Sequence, residues 1–337
     1  MNQARIFSVA VAAVVLGVGT LGFYGLPRAT FQGDLTRMSI MPERLFGWTL
    51  VQPTIEPQLM QQSSLKDADV LVIGDSFSNT RLWQSVLVKK GLKVRTEVWT
   101  SGQLVCADTM AQLRKQGFAG RYVVMESVER DLLQHVRNSL ACTSKPFGGD
   151  AQADTPRTAP AASFDVYQGN YLGSISTGLK VLWNTAAYHY KARSPEFKSW
   201  TLNQNVQISR VPNGCELFSH ASCQDSLFLT WDKPDDIDVS VLAGMEKINA
   251  RLPGVTPVWV VVPNRSTAYL YPDKKFWEAA EQRVRAPNLL RMTQQAIEAK
   301  KVDLYPANNT HFSTEGHLMM GEATLAAMTA APTPAKP

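Results

Sequence analysis

The sequence predicts an α/β protein built on a parallel β-sheet flanked by helices. Apolar runs of strand length alternate with helix-like segments along most of the chain, and the run at 70–73 stops abruptly at Gly-Asp-Ser. The predicted strands are 70–73, 93–99, 121–126, 258–262 and 302–305. The predicted helices are about 80–90, 107–116, about 129–139, 240–251, about 276–299 and 315–329. Such alternation is typical of βαβ units, whose strands run parallel.

The first predicted strand ends in a serine at the edge where parallel α/β sheets hold their active sites. Gly74 permits a sharp exit from the strand, so Ser76 is expected at its carboxyl end. A serine in this position attacks an acyl carbon when a histidine reaches its hydroxyl. Asp75 is adjacent to Ser76, so the two side chains diverge, and Asp75 is expected to bind the backbone of the turn.

The candidate base lies near the other end of the chain, in Asn-Asn-Thr-His-Phe-Ser-Thr-Glu-Gly-His at 308–317. His311 follows a predicted strand, and Ser313 with Glu315 is typical of a helix start. We therefore interpret His311 as the base for Ser76 and expect His317, further along that helix, to pack in the core. The open alternative for His311 is an ordinary surface or core histidine.

Two further strand ends are expected at the same edge of the sheet. The backbone N–H groups of Ser76 and of Gly102, after strand 93–99, are the expected oxyanion donors. Glu129 and Arg130 follow strand 121–126; they either bind substrate or form a surface ion pair at a helix start. The candidate oxyanion and substrate-binding residues are Gly102, Glu129, Arg130, Asp75 and His220. No Cys-x-x-Cys spacing is present, so zinc is not expected. No other metal and no cofactor is predicted.

Composition sets the class of protein and of partner. The chain has 337 residues and is 45% hydrophobic and 19% charged, which is an ordinary composition for a globular protein. Its formal net charge of +5 mildly favours anionic partners. No dense Lys/Arg run with interleaved aromatics appears, so a nucleic-acid partner is not expected.

The N-terminus carries an uncharged apolar stretch at 6–25, with Arg5 as the only charge before it. A spanning helix needs about 20 such residues. Because positive charge stays on the cytoplasmic side, the following domain is expected in the periplasm, on an uncleaved inner-membrane anchor. A cleaved signal peptide is the alternative. The predicted division is an anchor or signal at 1–28, a catalytic domain at 29–330 with an insertion at about 146–240, and a disordered tail at 331–337.

The four cysteines agree with export to an oxidising compartment. Their spacing favours two local disulfides, Cys106–Cys142 and Cys215–Cys223. Free buried thiols remain the alternative.

Gly-Asp-Ser-Phe-Ser near the start and the histidine block near the end together resemble the SGNH/GDSL hydrolase superfamily, and more specifically the SGNH-like polysaccharide O-acetyltransferases of the alginate type. The stretches that carry the resemblance are 74–78, 126–130, 217–232, 303–317 and, more weakly, 260–271. The resemblance implies a three-layer, flavodoxin-like sheet and a serine that carries an acetyl group to a sugar hydroxyl. It also implies a polysaccharide acceptor and a membrane-bound O-acyltransferase as acetyl donor.

The chain departs from that family at two points. The histidine block follows the serine, as in ordinary SGNH hydrolases, whereas the alginate proteins place it before. The acid position holds Asn309, with Asn308 beside it, so the resemblance implies that an amide orients His311. Asp303 and Glu315 are the alternative carboxylates.

Three functions are consistent with these features. The first is a membrane-anchored periplasmic O-acetyltransferase of an exported polysaccharide. The second is an esterase of the same fold that removes acyl groups, because transfer and hydrolysis share the acyl-enzyme. The third is a non-catalytic glycan-binding assembly subunit. Trp231, Tyr269 and Tyr271 are aromatic residues that either stack on sugar rings or pack in the core.

Overall fold

A computed structural model describes residues 3–29, 31–99, 104–147, 174–234, 236–272 and 275–330. Its strands are β1 Val70–Gly74, β2 Val94–Val98, β3 Tyr122–Val128, β4 Ser199–Thr201, β5 Val206–Arg210, β6 Asp225–Leu229 and β7 Thr256–Val262. Its helices are α1 Gln3–Gly25, α2 Asp34–Ser39, α3 Glu43–Phe46, α4 Ser76–Asn79, α5 Gln84–Lys89, α6 Thr109–Lys115, α7 Glu129–Ala141, α8 Ile175–Ala192, α9 Gly214–Leu217, α10 Val241–Asn249, α11 Arg265–Tyr269, α12 Lys275–Arg283, α13 Leu289–Glu298 and α14 Thr314–Thr329. Short 3₁₀ turns lie at Leu26–Arg28, Pro57–Met60 and Leu65–Asp67.

The apolar runs form a parallel sheet of four strands, in the order β2-β1-β3-β7. The strands β1 and β3 are buried along their whole length, which is why they read as continuous apolar runs. The register pairs Ile73 of β1 with Met125 of β3, and Val128 of β3 with Val262 of β7. The carboxyl ends of β1, β3 and β7 therefore meet at one edge, as the sequence predicts.

Helices cover this sheet. Helix α7 packs on β3 and α10, and α14 packs on α5 and β7. The predicted α/β class and flanking helices are confirmed.

Two predicted elements are wrong. The single helix expected at 276–299 is two helices, α12 and α13, because Arg285 adopts a left-handed conformation and Pro287 cannot continue a helix. The strand expected at 302–305 is a turn, because Lys300 and Asp303 have φ angles of 56° and 53°.

The described residues fall into two compact units. We call the first, drawn from 1–51, 162–231 and 305–310, the N-terminal unit; we call the second, drawn from 52–161, 232–304 and 311–337, the sheet unit. The sheet unit contains the parallel sheet. The N-terminal unit contains α1, α8 and the antiparallel sheet β4-β5-β6. Helix α1 and the following turn are long and apolar enough to cross a membrane, with a mean hydropathy of 2.3.

Both predicted disulfides are present. Cys106–Cys142 joins the segment after β2 to the end of α7, and Cys215–Cys223 closes a short loop in the N-terminal unit. Disulfides form in oxidising compartments, so the pair indicates an exported domain. The predicted tail, part of the predicted insertion and Gly102 lie outside the described residues.

Candidate active site

The turn after β1 presents Ser76. Asp75 caps α4, and its Oδ1 accepts a hydrogen bond from the backbone N–H of Phe77 at 2.9 Å. Its Oδ2 accepts from the N–H of Val128 at 2.6 Å, which ties the ends of β1 and β3 together. The side chain of Asp75 thus binds backbone, as the sequence predicts. Ser76 is the first residue of α4 and is exposed to solvent, so its N–H has no intrahelical acceptor.

A buried carboxyl on β3 supports this turn from beneath. Glu126 is fully buried, and its Oε2 accepts hydrogen bonds from Asp75 N–H at 2.9 Å and Ser78 Oγ at 2.6 Å. A Cβ at Gly74 would lie 2.6 Å from this oxygen and 2.2 Å from Ser78 Oγ, so only glycine fits there. Burial raises the pKa of Glu126 well above its ordinary value, and the charge of Asp75 raises it further.

His311 meets Ser76. Its Nε2 lies 2.7 Å from Ser76 Oγ, which is hydrogen-bonding distance for proton transfer between nucleophile and base. The imidazole packs on the ring of Phe77, with 4.7 Å between ring centroids. The sequence separates these two side chains by 235 positions, and the fold brings them into contact.

His317 lies behind this pair and belongs to the core. It is buried, and its Nδ1 lies 3.0 Å from the carbonyl oxygen of Ser313. Burial lowers the pKa of His317 to about 4, so this imidazole is neutral at physiological pH. Ser313 caps α14 by accepting a hydrogen bond from Gly316 N–H, as its position in the sequence predicts.

The ends of β3 and β7 carry a second polar cluster on the same edge. The buried Glu129 accepts a hydrogen bond from the N–H of Asn264 at 2.7 Å. The amide oxygen of Asn264 accepts from Arg130, whose guanidinium lies 3.6 Å from the carboxylate of Asp232. Burial raises the pKa of Glu129 to about 8 and that of Asp232 to about 6. Glu129 therefore holds the backbone after β7 from within the core, while the side chain of Arg130 remains partly accessible to solvent.

We predict that Glu129→Gln stabilises the protein at pH 8 by about 3–4 kcal/mol more than at pH 5. The unfolded chain releases this proton near pH 4.5 and the folded protein near pH 8, so the wild-type carboxyl lowers stability as the pH rises between those values. Glutamine keeps the oxygen that accepts from Asn264. Urea unfolding at both pH values measures the difference. The exposed Glu298→Gln is the control and should show no such gain; an equal gain for Glu129→Gln at both pH values would contradict the prediction.

The segment that enters His311 is held within the N-terminal unit. Asp34 accepts hydrogen bonds from both the N–H of Thr310, at 2.9 Å, and its hydroxyl. Glu43 accepts from the side-chain amide of Asn308 and from Thr36 Oγ1. Burial raises the pKa of Glu43. These carboxyl groups therefore restrain the backbone up to Thr310, the residue that directly precedes His311 in the chain.

Other candidates from the sequence have different surroundings. His220 is buried in the N-terminal unit against the rings of Phe46 and Phe218. Asn309 closes a turn with its N–H on the carbonyl of Pro306, and its role beside His311 stays a prediction. Glu315 pairs with Lys301, while Asp303 is fully buried.

The three aromatic residues that are candidates for sugar stacking differ in their exposure and contacts. Tyr269 packs in the core, Trp231 is exposed, and the hydroxyl of Tyr271 donates to the carbonyl of Asp232.

Two carboxyl groups that hold these segments, Glu126 and Asp34, were not singled out from the sequence. A lone carboxylate inside the apolar run of β3 was the available signal for Glu126. Asp34 had no such signal, because its partner Thr310 is 276 positions away.

A cavity of about 740 Å³ lies near the start of β7, at the opposite end of that strand from Asn264, and neither Ser76 nor His311 lines it. No protein-family model, curated protein or solved structure matches the chain.

Proposed function

We propose that this chain is a membrane-anchored serine acyltransferase that moves an acetyl group onto a hydroxyl of an exported polysaccharide. The observation that carries the proposal is the 2.7 Å contact between Ser76 Oγ and His311 Nε2 at the carboxyl edge of a parallel sheet. The polysaccharide and a membrane-bound O-acyltransferase as donor are inferred from the resemblance. The apolar α1 and the two disulfides support placement on the outer side of a membrane.

The reaction follows from this pair. Ser76 Oγ attacks the acetyl carbonyl while His311 Nε2 takes the hydroxyl proton, and the N–H of Ser76 stabilises the oxyanion. The leaving group departs with the proton from His311, which leaves an acetyl ester on Ser76. An acceptor hydroxyl then gives its proton to His311 and attacks the ester, so the acetyl group passes to the acceptor and Ser76 is restored. Water in place of the acceptor gives hydrolysis, and the exposure of Ser76 favours this as the second candidate activity.

Within this proposal, Asp34 is a positioning residue. Two hydrogen bonds from Thr310 anchor on its carboxylate, and the peptide bond carries that restraint to His311.

We predict that Asp34→Asn lowers kcat for an acetyl ester by about 10- to 100-fold, with little change in KM, because the backbone before His311 loses one of its restraints. The substitution keeps the shape but removes the charge and one acceptor. Steady-state kinetics with circular dichroism as a check on folding measures the effect. The competing hypothesis is that Asn309 orients His311; it predicts instead that Asn309→Asp raises the rate about 10- to 1,000-fold while Asp34→Asn leaves it unchanged.

The functional test uses the full chain in detergent micelles with an activated acetyl ester and a candidate polysaccharide. Transfer predicts acetylated polysaccharide that depends on Ser76 and a fall in acetate released. Acetate alone, at a rate that added polysaccharide does not change, would identify an esterase instead. Binding of polysaccharide with no turnover of any acetyl ester would favour the assembly-subunit hypothesis.

A further inference from the structure

The C-terminal end of α1 packs on α8 through glycines. Along α1, only Gly22 and Gly25 are buried. A Cβ at Gly22 would lie 2.2 Å from Ile175, and a Cβ at Gly25 would lie 2.2 Å from the carbonyl oxygen of Gly178. The two backbones therefore touch, which is the small-residue packing typical of helix pairs in membranes.

The contacts also fix the direction of α8. Gly22 meets Ile175, Gly25 meets Gly178, and Ala29 packs with Val181 in one buried cluster. Successive contacts advance along both segments together, so α8 starts beside the last turns of α1 and continues past its end in the same direction.

The length of α1 determines how deep in the bilayer the contacts between α1 and α8 lie. Its 23 residues extend about 34 Å, slightly more than the roughly 30 Å hydrocarbon core. With α1 across the bilayer, Gly22 and Gly25 lie near the boundary of that core. Trp183 is then about 7.5 Å beyond Gly178 along α8, and Tyr190 is about 18 Å beyond it.

Both aromatic side chains on α8 are exposed, Trp183 by 76% and Tyr190 by 79%. The headgroup layer is about 5–8 Å thick on each side, so only Trp183 falls within it. Tyr24 at the end of α1 contacts Arg28 in the following 3₁₀ turn, where the guanidinium of Arg28 lies 4.1 Å over the Tyr24 ring and donates to its hydroxyl. Aromatic and basic residues of this kind are enriched at membrane interfaces.

We propose that α8 is a second membrane-contacting element, with its first two turns beside α1 at the bilayer boundary, Trp183 among the lipid headgroups and Tyr190 in water. The proposal rests on α1 spanning the membrane. It adds that the N-terminal unit is oriented by two helices rather than by a single flexible anchor.

The test compares two matched positions in the full chain. The native cysteines are all in disulfides, so a thiol-reactive fluorophore labels only the new cysteine of Trp183→Cys or Tyr190→Cys. Each labelled protein is reconstituted into phosphatidylcholine–phosphatidylglycerol vesicles that contain a headgroup spin-labelled lipid. We expect quenching at position 183 to be at least about threefold stronger than at position 190.

Vesicle flotation after an alkaline wash separates the two proposals. If the protein does not float, α1 does not span the bilayer, and the proposed placement of α8 is wrong as well. If the protein floats and both positions are quenched weakly, α8 does not contact the lipid. If the protein floats and both positions are quenched strongly, α8 lies flat on the membrane surface. Either of those last results overturns the proposed placement while leaving the anchor intact.

Discussion

Replacing Ser76 by alanine is expected to lower turnover of an acetyl ester by about 10³- to 10⁶-fold without unfolding the protein. The hydroxyl is exposed at the first position of α4, so its loss leaves no buried cavity and breaks none of the bonds that Asp75 makes to the turn. The substitution removes the proposed nucleophile, so no acyl-enzyme can form on this residue. Initial rates with purified wild type and variant measure the loss, and thermal unfolding checks that the fold persists.

The motif offers a matched control, because Ser78 is the second serine of Gly-Asp-Ser-Phe-Ser. Its hydroxyl is buried and donates to Glu126, so Ser78→Ala should lower the melting temperature while covalent labelling by an acyl donor still falls on Ser76. Wild-type turnover in Ser76→Ala, or labelling that moves to Ser78 in the wild type, would remove Ser76 as the nucleophile.

Replacing His311 by alanine is expected to cost about as much as losing Ser76, and the double variant should be no slower than either single one. In the proposed mechanism the two groups act as one unit, since the imidazole takes the proton from the hydroxyl that it contacts. Initial rates of the wild type, both single variants and the double variant measure these losses.

The control for this substitution is His189→Ala, an exposed histidine of the N-terminal unit, which should retain wild-type rates. Losses from Ser76→Ala and His311→Ala that multiply in the double variant would show that the two residues act independently, against the proposed pair.

Much of this site could be predicted from local sequence. An apolar run ending at Gly-Asp-Ser predicts a buried strand with a serine at its carboxyl end. The strands β1, β3 and β7 lie within about two residues of the bounds predicted from their apolar runs. The cysteine spacing favoured the two disulfides that are observed. Those inferences rest on patterns a few residues long.

The failures have two physical causes. The break between α12 and α13 is local, and Pro287, inside the helix expected at 276–299, is a sequence signal for it. The supports of the site are non-local: Glu126 reaches Asp75 across 51 positions and Asp34 reaches Thr310 across 276. Such hydrogen bonds depend on the fold as a whole, so a single sequence does not specify them.

In the proposed reaction Ser76, activated by His311, carries the acyl group. The most direct measurement is mass spectrometry of the full chain quenched in acid within seconds of mixing with an activated acetyl ester. We expect one added acetyl group on the peptide that contains Ser76, absent in Ser76→Ala and greatly reduced in His311→Ala. An acetyl group found instead on another serine or on a lysine, or equal labelling of wild type and Ser76→Ala, would contradict it.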